Sequence, residues 1–140
     1  MSDNHFRILL VEERVDLAVR YLSELKKAGF NNVHHVGYGV FFDATFTEFN
    51  DWELVVMDSC LDGCKTNTDV FVYRVRKLFG DQVRIIANSD SLEYTQQLMD
   101  AGCDTRSTGG KFQSFGLARV VKSLFYRKYD LKKEYDRYVW

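Results

Sequence analysis

Short, continuous apolar runs alternate along the chain with stretches whose apolar residues recur every three or four positions. Arg7-Ile-Leu-Leu-Val11 reads as a buried strand, and Val15, Ala18, Leu22 and Leu25 then recur at helical spacing until Ala28-Gly29 ends the stretch. A short run from Asn32 to Val36 leads to Phe42, Phe46 and Phe49 at helical spacing, and Leu54-Val-Val-Met57 forms a third strand-like run. Beyond a polar loop, Phe71, Val75 and Leu78 mark a helix over Val70 to Phe79, and Val83-Arg-Ile-Ile-Ala87 reads as a fourth strand. A helix from Ser91 to Ala101 stops at Gly102. The fifth strand falls by its place in the series at Asp104 to Thr108, short and polar, and a long helix runs from about Phe112 to near the C-terminus.

Parallel strands need crossovers, and crossover helices bury both faces of a sheet, so this alternation predicts an α/β domain with a five-stranded parallel sheet and helices on both sides. In open sheets of this kind, chemistry gathers at the carboxyl ends of the strands. Those ends are Glu12-Glu13, Asp58, Ala87-Asn88-Ser89 and the segment after Thr108.

With 140 residues, 46% hydrophobic and 28% charged, the chain supports one full core and one domain. The net charge of −1 and pI near 6.3 provide no basic field, which argues against nucleic acid as a partner. No apolar run approaches the roughly 20 residues needed to cross a bilayer, and the start, MSDNHF, lacks a basic region followed by an apolar stretch. A cytoplasmic protein with no membrane contact is the expectation. Cys60, Cys64 and Cys103 are odd in number and fit neither a disulfide framework nor a zinc pair, so they are expected as reduced thiols. Proline is absent.

Two adjacent carboxylates end the first strand and a third ends the third strand. Uncompensated, such groups repel one another, and a hard cation with oxygen ligands, Mg²⁺ above all, is the natural partner. A metal there would also neutralise an incoming phosphoryl group, leaving a central carboxylate to attack phosphorus in line.

The strand ILLVEE, the sequence DSCLDG after a second apolar run, and Ala101-Gly102-Cys103 before the last helix together resemble the receiver domain of two-component response regulators, over about Phe6 to Phe125. The resemblance implies a flavodoxin-like doubly wound fold, with a receiver domain over 1–125 and a helical extension over 126–140. It implies a non-enzymatic signalling switch, in which Asp58 takes a phosphoryl group from a histidine kinase or phosphotransfer protein. Glu12, Glu13 and Asp58 would hold Mg²⁺ together with the backbone carbonyl of Cys60. Leu61 and Gly63 stand where the family's acceptor loop has Leu and Gly.

The sequence also departs from the family pattern. Glu13 replaces the usual Asp, and Asp62 replaces the loop proline, with Lys65 near enough in sequence to offset it. Counting back from Ala101-Gly102 puts Ala87 where receivers carry a phosphoryl-binding hydroxyl, so Ser89 or the amide of Asn88 would have to substitute. The family's lysine position falls on Gly109, and Lys111 would have to reach back across two glycines, with no cis-proline to set its course. Arg106 stands at the aromatic switch position. These departures support an alternative, a pseudo-receiver serving as an interaction or dimerisation scaffold without phosphate.

Other motifs carry less. Ser107-Thr-Gly-Gly-Lys-Phe lacks nucleotide-loop spacing, Cys60 lacks the arginine that a thiol phosphatase needs, and His34-His35 put one ring on each face of a strand. In the last helix, Leu117, Val121, Leu124, Lys128, Leu131, Tyr135 and Tyr138 recur at four-three spacing. That seam predicts a contact helix that pairs two copies or docks a partner protein.

Overall fold

A computed structural model describes residues 5–63, 66–107 and 114–129. In chain order the elements are β1 (Arg7–Val11), α1 (Val15–Lys27), β2 (Val33–Val36), α2 (Phe42–Phe46), β3 (Trp52–Asp58), β4 (Cys60–Leu61), β5 (Thr66–Asn67), α3 (Asp69–Phe79), β6 (Arg84–Asn88), α4 (Leu92–Ala101), β7 (Thr105–Arg106) and α5 (Ser114–Tyr129). Five strands form one sheet in the order β2-β1-β3-β6-β7, and every pairing in it is parallel. This is the doubly wound architecture that the alternation predicts.

The strand period of two sorts the core into two layers. Ile8, Leu10, Leu54, Val56 and Ile86 pack with Leu17, Tyr21 and Leu25 of α1 and with Leu117, Val121 and Leu124 of α5. Their alternates Leu9, Val11, Val55, Met57, Ile85 and Ala87 pack with Phe42 and Phe46 of α2, Phe71 and Val75 of α3, and Leu98 of α4. Because both faces are covered, the inner strands β1, β3 and β6 read as nearly continuous apolar runs in sequence.

Several elements differ from expectation. The second helix ends at Phe46 rather than reaching Phe49, and a single 3₁₀ turn at Gly39–Phe41 leads into it. The loop after Asp58 forms a small antiparallel pair, Cys60↔Asn67 and Leu61↔Thr66. The fourth main strand runs to Asn88, one residue beyond the apolar run. Leu117, Val121 and Leu124, the start of the expected contact seam, are buried against the sheet, so this face of α5 belongs to the domain's own core. Lys128 and the rest of that seam, with the 130–140 end of the extension, lie outside the described side chains.

On β2, the His34 ring packs against Phe49 and Trp52, and Arg7 Nη1 lies 3.0 Å from its Nε2. Burial first, and the Arg7 guanidinium second, hold its pKa below the ordinary histidine value. The folded chain therefore resists protonation at a pH where the unfolded chain accepts it. Stability is lost as pH falls through the unfolded value near 6.5 and levels off below the lowered folded value. The thermal midpoint is expected to drop between about pH 7 and pH 5.5, with a shallower slope in His34→Gln. Identical slopes for the two proteins would contradict this.

Candidate functional site

β1, β3 and β6 lie side by side, and their registers bring three polar side chains to one level at the carboxyl rim. Val11 pairs with Met57, so the next residues, Glu12 and Asp58, are neighbours, and Asp58 itself pairs with Asn88. All three share the face of Leu10, Val56 and Ile86, beneath α1. They are almost wholly buried: Glu12 0%, Asp58 1% and Asn88 0% exposed.

Backbone donors and neighbouring hydroxyls hold this group in place. Arg14 N–H donates to Glu12 Oε2 at 3.1 Å, and the His35 ring Nε2 donates to the Glu12 carbonyl at 2.7 Å. Glu13 N–H lies 3.5 Å from Asp58 Oδ2, at the limit of a hydrogen bond. The Thr68 hydroxyl, at the start of α3, donates to the Asp58 carbonyl. The buried Tyr21 phenol, on α1, has its pKa raised chiefly by burial; a hydrogen bond from Asn88 opposes the shift, and the carboxylates of Glu12, Asp90 and Asp58 add to it.

Asn88, not Ala87, stands opposite Asp58. Ala87 pairs with Met57 and faces the other layer of the core, 1% exposed. The count from Ala101-Gly102 misses by one residue because it assumes a fixed distance from strand to helix, whereas strand register is set by pairing with β3. Asn88 Oδ1 accepts the Ser107 hydroxyl at 2.7 Å, and its buried Nδ2 lies beside the Tyr21 phenol. Ser89 is turned to other work: its Oγ donates to Ser59 Oγ at 3.1 Å and accepts Ser91 N–H at 3.1 Å, fixing the entry to α4. Arg106 is exposed on β7 opposite Ala87. Lys111 and Lys65 lie outside the described residues.

The acceptor loop has its own geometry. Asp62 adopts φ 56° and Gly63 φ 67°, a left-handed turn that proline, locked near −65°, could not make. Asp62 Oδ1 accepts Gly39 N–H at 3.4 Å, and Glu13 Oε2 accepts Gly63 N–H at 2.9 Å. Cys60, expected as a free thiol, is disulfide-bonded. Cys103 is a free, buried thiol, pushed up to about 12 by burial and by Asp104.

These arrangements bear on the expected metal. Glu13 spends an oxygen on the Gly63 amide, and among the described residues no three His, Cys, Asp or Glu side chains gather into a metal-holding group. What remains is the Glu12–Asp58 pair. Mg²⁺ keeps much of its water and is commonly held by one or two carboxylates, so two side chains of this kind are chemically able to serve it.

Compared with family models and with curated proteins, the chain matches none. Solved structures do match. Response regulator TrrA of Thermotoga maritima, in complex with Mg²⁺-BeF, is 23% identical over 85% of this chain and 98% of its own, with a TM-score of 0.71. Chemotaxis response regulator CheY4 of Vibrio cholerae is 16% identical over 85% and 98%, at a TM-score of 0.67. An orphan response regulator of H. pylori is 17% identical over 85% and 95%, at 0.68. Likeness at such identities speaks for architecture, and the architecture of this chain is that of a response-regulator receiver domain.

Proposed function

We propose that the chain is a signalling receiver that accepts a phosphoryl group on Asp58 from a histidine kinase or phosphotransfer partner. The observation carrying this reading is the register of three strands, which sets Asp58 between a carboxylate, Glu12, and an amide, Asn88, at the carboxyl rim. An Asp58 carboxylate oxygen would attack phosphorus as the donor's bond to phosphorus breaks in line, giving an acyl phosphate. Asn88 supports this better than Ser89 as the donor to a phosphoryl oxygen, since the Ser89 hydroxyl is engaged with Ser59 and Ser91. Lys111 is the proposed cationic contact. Glu12 and Asp58 would hold Mg²⁺, joined by Glu13 if it leaves Gly63 and by the Cys60 carbonyl; the ion would offset the phosphoryl charge.

The protein would act in the cytoplasm through changed protein contacts rather than by turnover. Among the described residues no helix is long and apolar enough to cross a membrane. The helical extension over 126–140 is the proposed surface for a second copy or a partner.

A second reading, the pseudo-receiver, draws on Asp58 being 1% exposed and on Glu13 being held by the Gly63 amide. Incubation with acetyl phosphate and Mg²⁺, followed by intact mass, separates the two. The receiver reading expects one phosphoryl adduct on the wild-type chain and none on Asp58→Asn. A wild-type chain that stays unmodified would leave the pseudo-receiver in its place.

A further inference from the structure

We propose that Ser107 is a positioning residue for phosphoryl uptake: its hydroxyl fixes the Asn88 side chain so that the amide NH₂ faces Asp58. The inference rests on the receiver reading and adds to it a residue outside the acidic cluster.

Asn88 is wholly buried at the end of β6, and β6 lies between β3, which carries Asp58, and β7, which leads directly into Ser107. Ser107 is itself anchored, its N–H donating to the Ala87 carbonyl at 3.0 Å. From there its hydroxyl donates to Asn88 Oδ1 at 2.7 Å. The oxygen and nitrogen of a planar amide sit on opposite branches, so an oxygen held from the β7 side turns the nitrogen back across the sheet towards β3. The reverse orientation would aim a carbonyl oxygen at Asp58 and Glu12, acceptor against acceptors, which electrostatics disfavours.

The Nδ2 group is buried, with the Tyr21 phenol as a neighbouring acceptor. The phenol can take one of the two amide hydrogens, which leaves the other as a buried donor that asks for an acceptor. A phosphoryl oxygen on Asp58 supplies an acceptor at that place, with charge that strengthens the bond. Ser107 holds the donor ready in advance, so no reorientation is required when the phosphoryl group arrives.

The test compares rates of adduct formation by intact mass with acetyl phosphate and Mg²⁺, for wild type, Ser107→Ala, Ser107→Thr, Asn88→Ala and the double alanine variant. Loss of one hydrogen bond to a charged group predicts a slowing on the order of tenfold for Ser107→Ala and for Asn88→Ala. Ser107→Thr, which keeps the hydroxyl, should recover most of the wild-type rate. The double variant should be no slower than Asn88→Ala alone, because Ser107 acts through Asn88. Thermal midpoints measured alongside separate loss of function from loss of fold. A Ser107→Ala rate equal to wild type, or a Ser107→Thr rate no better than Ser107→Ala, overturns the proposal and leaves Asp58 as acceptor. A wild-type chain that takes up no phosphoryl group sinks both readings together.

Discussion

Replacing Phe42 by alanine is expected to destabilise the fold by about 3–5 kcal/mol. Phe42 opens a helix of only five residues, Phe42–Phe46, whose start has no side-chain cap. So short a helix has almost no stability of its own and persists only through tertiary packing. Phe42 supplies that packing: wholly buried, it stacks on Phe46 at 5.4 Å and on Phe71 of α3 at 4.4 Å between ring centroids. Truncation would leave a cavity beneath β1 and β3 as well as removing both ring contacts. Urea denaturation should show a lower midpoint with an unchanged slope, and Phe42→Leu should recover most of the loss. A cost below about 1 kcal/mol would mean that the site collapses around the gap, contrary to close packing.

Arg76→Ala is expected to cost about 2–4 kcal/mol, although Arg76 looks like an ordinary charge on a helix. Its guanidinium reaches from α3 to the far edge of the sheet. Nε and Nη2 donate to the Gly102 carbonyl at 3.0 and 2.7 Å, and Nη1 donates to the Gly80 and Val83 carbonyls at 2.9 and 2.6 Å. Nη2 also bonds Asp104 Oδ2 at 2.7 Å, and that same oxygen accepts Ile85 N–H at 2.7 Å. One side chain thus ties the end of α3, the start of β6 and the turn after α4 together. Its side chain is 17% exposed, so water replaces these bonds only in part. Gly102 is part of the same joint: it sits at φ 129°, and a Cβ there would come within 3.3 Å of Arg76 Cγ. Arg76→Lys should recover little, because a single ammonium cannot serve a fork of separated acceptors. Denaturation of the three proteins side by side checks this, and a lysine variant as stable as wild type would contradict it.

The candidate site was legible in the sequence to an uneven degree. Glu12, Glu13 and Asp58 could be found because each ends a recognisable apolar run, and such ends lie at the chemically active rim of an open sheet. Glu13 was expected beside the other two, yet its side chain turns to the Gly63 amide across 50 positions of chain, a contact that no local pattern announces. Ser107 and Arg76 left no signal for the same reason. Ser107 stands in a polar stretch and Arg76 among the charges of an amphipathic helix, and the role of each depends on partners from other elements.

Apolar spacing by itself determined where β1, β3 and β6 fall along the chain, their burial on both faces and the edge where Asp58 would stand. These follow from hydrophobic periodicity, which is a local property of the chain. Only the tertiary structure decided that Asn88 rather than Ala87 faces Asp58, that Leu117 and Val121 fill the domain's own core, and that Cys60 is bonded rather than free. Register, helix docking and loop closure are pairings between distant segments, and a one-residue change in a connection reverses the face that a strand residue presents.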